Sequence, residues 1–513
     1  MNDFPWLTTL ILIPLVGAVV TAFLPSGPRE PLAKQVGLGF AVLALVPAVI
    51  VAADFSAGGG FQSTEQHEWI GAFGANYAVG VDGLGLLMVL LTVVLIPIVM
   101  LASWRDSDEG NTKTFFAWTL ALEAMSLAVF TATDVFLFYV VFEATLIPAY
   151  FLIGGFGRTG RGRAATKFLI YQLAGGLVML GSVIGLYVVS ANQGTPSYLI
   201  TDLAALDISG DTQKWLFVGF FIAFAIKAPM FPVHTWLADT TEKATTGTSV
   251  LLVCILDKIG TFGMLRFCLG LLPDASRWAT PVVVVLALIS IVYGALVAIG
   301  QDDLLRLIGL TSLSHFGFIV LGIFVFSTQG GTGAILYMVN HGIATAALFI
   351  VAGYLIRRRG TSLISQMGGI EKKAPVLAGL FLIAGLAACG LPGLSPFVSE
   401  MLVIIAAFGH SWWAGAVAVT AIVLSAVYVL WLYQRAFTGP VLPEGEAVTD
   451  LDRREVGTLA PLMLALVLFG FYPMPLLDII NPNVETTLTH VGVNDEAPTV
   501  PAADDDVAEG AHP

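Results

Sequence analysis

Charge is scarce in this chain. Asp, Glu, Lys and Arg make up 12% of its 513 residues while 57% are hydrophobic, against about 25% charged residues in an ordinary soluble domain. Such a surface belongs in lipid. The net charge of -13 does not signal a nucleic-acid or cationic partner, because seven of the acids (Glu485, Asp495, Glu496, Asp504, Asp505, Asp506 and Glu509) sit in one terminal stretch without Lys or Arg. Cysteine is scarce too. Cys254, Cys268 and Cys389 lie in apolar runs at spacings that match no metal or iron-sulfur pattern, which leaves them as buried small hydrophobes. No basic residue follows Met1-Asn2-Asp3 ahead of the first apolar run, so the cationic segment of a cleaved signal peptide is lacking and that run reads as a permanent helix. Long loops are missing as well. The longest, 54 to 83, is Gly-rich, and after Asn481 the chain turns to Pro, Ala and acid, a composition that predicts a disordered tail over 481–513. Finally, Gly155-Phe156-Gly157-Arg158-Thr159-Gly160 has the spacing of a dinucleotide loop but follows an apolar run, with no βαβ unit around it. Nucleotide binding is excluded there, and Arg161, Arg163 and Lys167 make the loop a cytoplasmic anchor.

What is present is a series of apolar runs. A spanning helix needs roughly 20 mainly apolar residues, and such runs occur near 6–24, 31–53, 84–103, 114–132, 134–156, 164–190, 214–236, 246–271, 279–299, 303–325, 331–356, 377–409, 411–437 and 457–480. The sequence therefore predicts one transmembrane domain of about fourteen helices over 1–480, all-α, followed by the acidic tail. The basic residues test the count. One alternating set of loops holds 18 of the 23 Lys and Arg, from Arg29 and Arg105 through Lys243 and Arg306 to Arg357, Arg358, Arg359, Arg453 and Arg454, whereas the other holds only Lys214 and Arg277. Short cytoplasmic loops are the basic ones, so both termini are expected on the non-cytoplasmic side. Lys227, Lys258 and Arg266 fall inside spans and need another explanation.

Six ionisable side chains lie near span centres: Glu143, Lys227, Lys258, His315, His341 and Glu400. A charged group at the centre of a membrane helix costs at least ~2.5 to 3.5 kcal/mol, so six in one chain imply pairing, hydration or both. Structural ion pairs would account for Glu143 and Lys227, and hydrogen-bonded packing for the two histidines. A proton relay uses the whole set, because burial brings Lys and Glu toward neutrality and His titrates there already.

Two of the spans carry helix breakers. Lys227-Ala228-Pro229-Met230-Phe231-Pro232 interrupts the seventh, and Gly390-Leu391-Pro392-Gly393-Leu394-Ser395-Pro396 the twelfth. An interior Pro removes one helical hydrogen bond and blocks another, exposing carbonyls that solvate an ion or water. Either break alone would suit a packing kink. Two interrupted helices at corresponding positions, five spans apart, predict inverted five-helix repeats near 114–271 and 279–437.

These motifs resemble those of the proton-pumping family shared by the antiporter-like membrane subunits of respiratory complex I and the large subunits of multi-subunit cation/proton antiporters. The likeness rests on Phe142-Glu143-Ala144-Thr145-Leu146-Ile147-Pro148, Ala164-Ala165-Thr166-Lys167-Phe168, Lys227-Ala228-Pro229 through His234-Thr235-Trp236-Leu237, Asp257-Lys258-Ile259-Gly260, Gln301-Asp302-Asp303 with Ser314-His315, Asn340-His341, and Gly390-Leu391-Pro392-Gly393. The sequence departs from the family pattern at Ala238 to Thr245 and at Leu305. Glu400 indicates the M-type branch, since the L-type, N-type and antiporter subunits usually carry Lys there. The resemblance implies a bacterial cell-membrane protein that couples NADH oxidation by quinone, performed elsewhere, to proton pumping. It implies FMN, iron-sulfur clusters and quinone in partner subunits, none in this chain, and L-type and N-type subunits as neighbours in the bilayer. Glu143 would set the proton affinity of Lys227, Lys258 would pass the proton on near His315 and His341, and Glu400 would release it. A cation/proton antiporter subunit is the nearest rival, and a structural membrane scaffold the rival of another class.

Overall fold

In lipid, an apolar run satisfies its backbone by becoming helical or by closing into a barrel, and the described residues of this chain are mostly helical. The computed structural model describes residues 4–25, 30–58, 60–105, 112–445 and 447–493. Two helices, α1 (Trp6–Phe23) and α2 (Glu30–Asp54), precede a hairpin of β1 (Gln62–Ile70) and β2 (Ala75–Val81), after which come α3 (Gly83–Ala102) and α4 (Thr112–Thr131). The next passage is split at Thr145 into α5 (Val135–Ala144) and α6 (Leu146–Phe156) and is followed by α7 (Arg161–Gln193) and the short α8 (Ile200–Ala204). An interrupted passage contains α9 (Gly210–Lys227) and α10 (Thr235–Lys243). Beyond it, α11 (Thr246–Val250) and α12 (Lys258–Gly263) are separated by a π-helical turn, Leu251–Leu256, and followed by another, Met264–Leu269. Then come α13 (Pro273–Ile299), α14 (Leu304–Phe324) and α15 (Thr328–Arg359), the second interrupted passage of α16 (Pro375–Ala388) and α17 (Ser395–His410), and α18 (Trp412–Phe437), α19 (Arg453–Phe471) and α20 (Met474–Val491).

Among the described residues, twelve helical stretches are long and apolar enough to cross a membrane. The two predicted spans outside that set, 214–236 and 377–409, are the ones that carry the breaks. The apolar windows of Thr246–Leu269, α14 and α15 are wholly buried, so these elements form the interior of the bundle. At its periphery Leu177, Val282, Val423 and Leu464 are exposed, as suits helices that meet lipid on one side.

Three local features depart from the expectations. The loop at 54–83 contains the antiparallel hairpin, in which Glu65 faces Val79 and His67 faces Tyr77. Its Glu65 carboxylate accepts the backbone N–H of Leu7 at 2.8 Å and so caps α1, where Pro5 supplies no side-chain cap. The span expected over 457–480 ends at Phe471 because Pro473 cannot continue it and keeps Tyr472, at φ -135° and ψ 73°, out of helical backbone. Part of the segment expected to be a disordered tail is helical. Residues 481–491 belong to α20, whose Leu476, Ile480, Val484 and Leu488 recur every four residues and are buried. One helical stripe of apolar side chains outweighed the polar composition around it. Arg29 and the tail acids from Asp495 onward lie outside the described residues.

Candidate functional site

Pro229 and Pro232 end α9 in mid-passage, and side chains absorb the backbone groups this frees. Trp236 donates its indole N–H to the Ile226 carbonyl at 3.0 Å, and the Phe231 N–H is taken by Ser290 Oγ at 2.9 Å. Lys227 is the last residue of α9 and is 1% exposed. A helix C-terminus suits a cation. Its Nζ donates to Thr145 Oγ1 at 3.2 Å and stands 4.6 Å from the Phe142 ring centre. Thr145 is available because the chain changes helix there, between α5 and α6. The half-buried Glu143 lies within Coulombic reach of Lys227, but the hydrogen bond of Lys227 goes to Thr145. Glu143 Oε1 is buried without a hydrogen-bond partner among the described residues, and its carboxylate lies against Gly176, where a Cβ would collide with it.

Lys258 follows the first π-helical turn. The Val253 carbonyl within that turn accepts from Lys258 Nζ at 3.3 Å, and the same Nζ is 2.6 Å from His341 Nδ1 and 4.4 Å from the Phe316 ring centre. The His341 ring is 5.1 Å from that of His315, edge to face. His315 Nε2 is 3.2 Å from the Tyr428 hydroxyl, and its ring is 5.9 Å from that of Tyr337. Tyr337 in turn donates its hydroxyl to Glu400 Oε1. The second break positions that acid. Gly390 and Gly393 have φ of +69° and +91°, a left-handed backbone open chiefly to glycine, and the Glu400 carboxylate fills the space a Cβ on Gly390 would occupy. Pro392 lies within the break, and Pro396 sits in the first turn of α17, where its missing N–H costs nothing. Asn340 ties α15 to this turn by donating to the Ser395 carbonyl at 2.8 Å.

The six expected residues therefore fall into two groups. Lys258, His341, His315 and Glu400 line up with Tyr337 and Tyr428, through hydrogen bonds at Lys258–His341, His315–Tyr428 and Tyr337–Glu400 and ring contacts from His315 to His341 and Tyr337; a tyrosine inside an apolar run carries too weak a polar signal for the sequence to single out either one. Glu143 and Lys227 form the second group with Thr145. Two more carboxyls were passed over, Glu123 and Asp257, both buried. Their place within predicted spans is the signal for both, and Asp257 also stands in the Asp257-Lys258-Ile259-Gly260 motif. Where the passages end, Lys167 and Arg306 both bond Asp239, at 2.6 and 2.7 Å. Burial pushes the Asp239 carboxyl up, but these two cations outweigh it and hold it below the ordinary value.

Residues 132–425 match the family model described as NADH:quinone oxidoreductase/Mrp antiporter, TM. The chain belongs to that family. It is 49% identical to NADH-quinone oxidoreductase subunit M of Mycobacterium tuberculosis, with all of both chains covered. It superposes on a chain of respiratory complex I from Thermus thermophilus with a TM-score of 0.87 and 32% identity, covering 95% of this chain and 100% of the other. A chain of the Mrp complex from Dietzia sp. gives a TM-score of 0.83 at 22% identity, covering 94% of this chain and 98% of that one, and shows a shared fold.

Proposed function

We propose that this chain is the M-type membrane subunit of a proton-translocating NADH:quinone oxidoreductase and that it moves protons along the buried polar axis. The observation that carries the reading is the alignment of the buried side chains Lys258, His341, His315, Tyr337 and Glu400, with hydrogen bonds joining Lys258 to His341 and Tyr337 to Glu400 and ring contacts of 5.1 and 5.9 Å between them. Every member exchanges protons through N–H or O–H groups, and apolar side chains surround them. Glu143 and Lys227 form the loading end. Unit charges about 6 Å apart at an effective dielectric near 20 interact by about 3 kcal/mol, so separating that pair is enough to change the proton affinity of Lys227 about a hundredfold. Residues 114–271 and 279–437 act as inverted repeats around the two breaks, the cofactors FMN, iron-sulfur clusters and quinone reside in partner subunits, and L-type and N-type subunits flank this one. Both termini face away from the cytoplasm.

The test is made in the assembled complex in native membranes. Lys258→Ala and Glu143→Ala are each expected to leave the complex assembled while NADH-driven proton pumping is lost or greatly reduced. Wild-type pumping in Lys258→Ala would favour a structural scaffold, and wild-type coupled turnover in Glu143→Ala would remove that carboxyl from the mechanism.

A further inference from the structure

The two groups described above do not meet. Lys227 is turned to Thr145, and Lys258 to His341 and the Val253 carbonyl. Asp257 lies where a connection is needed. It is 1% exposed, and its Oδ2 is buried without a hydrogen-bond partner among the described residues, an arrangement that calls for an explanation in a native core. Its backbone N–H reaches five residues back to the Leu252 carbonyl at 2.9 Å, closing the π-helical turn. Gly260, three residues on and therefore on the same face as Asp257, packs so closely on the last turn of α9 that a Cβ there would strike the Ala228 nitrogen and the Phe224 carbonyl. The face carrying Asp257 is thus the one that looks toward the end of α9, where Lys227 stands. The carboxyl lies within Coulombic reach of both lysines.

We propose that Asp257 is a proton-carrying station between Lys227 and Lys258, joining the Glu143 and Lys227 group to the axis that ends at Glu400. This rests on the proton-moving function proposed above and adds a residue to it. In the step, a proton leaves Lys227 Nζ for the Asp257 carboxylate, which becomes a neutral acid, and then passes to the neutral amine of Lys258. Lys227 ends neutral, Lys258 cationic, and Asp257 recovers its charge; no electron moves and no other bond changes.

Three variants of the intact complex test it. Asp257→Asn keeps shape and removes the titration, and is expected to lose proton pumping while assembly and electron transfer from NADH to a soluble artificial acceptor persist. Asp257→Glu restores a carboxyl and is expected to recover pumping that Asn does not; a merely structural polar residue would be served as well by Asn. Lys258→Ala separates the two claims. If it abolishes pumping while Asp257→Asn pumps normally, the station is overturned and the axis stands; if it pumps normally, the axis itself falls. Should Asn prevent assembly, infrared difference spectra of the wild-type and Asp257→Glu complexes on reduction by NADH decide the matter. A carboxyl C=O band that moves with the substitution supports the station, and identical bands overturn it.

Discussion

Glu400 owes its environment to two neighbours that contribute opposite things. Tyr337 donates a hydrogen bond to it, and Gly390 leaves the space it occupies. Glu400→Gln keeps the volume and removes the titration, so the expected outcome is an assembled complex with strongly impaired pumping. Glu400→Lys tests whether any titratable group suffices. A lysine here would oppose the Tyr337 hydroxyl with a donor that has no acceptor lone pair, and would add a cation at the end of an axis that must also charge Lys258. Lys is therefore expected not to rescue what Gln loses. Pumping measured for both variants in the same membranes checks this, and normal pumping in Gln would take Glu400 off the path. At this scale the ionisable members of the axis were legible because a charge inside an apolar run stands out by itself. Tyr337, Tyr428 and Thr145 were not, since their value lies in which neighbour each hydroxyl reaches, and spacing along the chain does not encode that.

Whole helices were readable from run length, and the breaks at Pro229, Pro232, Pro392 and Pro396 from proline alone. The hairpin, the π-helical turns and α20 were not. They depend on partners distant in sequence, as the surroundings of Asp82 illustrate. This residue caps α3 by accepting from the Gly85 N–H at 2.9 Å, holds Arg266 through two bonds of 2.7 Å, and accepts from Asn483 of α20 at 2.7 Å. Arg266, left unexplained by the sequence, is thus the counter-ion of a latch between the second π-helical turn, α3 and α20. Burial pushes the Asp82 carboxyl up, but Arg266 more than offsets this and holds it below its ordinary value. An acid depressed in the folded state contributes stability that is present above its unfolded pKa and is lost as pH falls through the folded one. Removing one partner of a buried pair costs about 3 to 5 kcal/mol. Asp82→Ala is therefore expected to lower the temperature at which the detergent-extracted complex loses this subunit at neutral pH, with the difference from wild type narrowing below the ordinary carboxylate range. Equal thermal stability at neutral pH would show that the latch contributes nothing.

Across the whole molecule, orientation rests on cations that the fold partly neutralises. Arg357 and Arg358 both contact Glu455, Arg435 contacts Asp302, and Arg306 bridges Asp239 and Glu242. If net charge set topology, these pairs would weaken the prediction. Insertion instead responds to Lys and Arg in short loops, with Asp and Glu contributing little, so the 18 against 2 division of loop cations retains its force. Lys372 is exposed on the basic side, and Glu485 is exposed on α20 at the other end of the predicted topology. The three native cysteines are buried and leave little background for thiol labelling. Lys372→Cys is accordingly expected to react with a membrane-impermeant maleimide only in vesicles whose cytoplasmic face is outward, and Glu485→Cys only in those of opposite orientation. The reverse pattern would invert the molecule in the membrane, and Glu143 and Lys227 would then receive protons from the side on which Glu400 is proposed to release them.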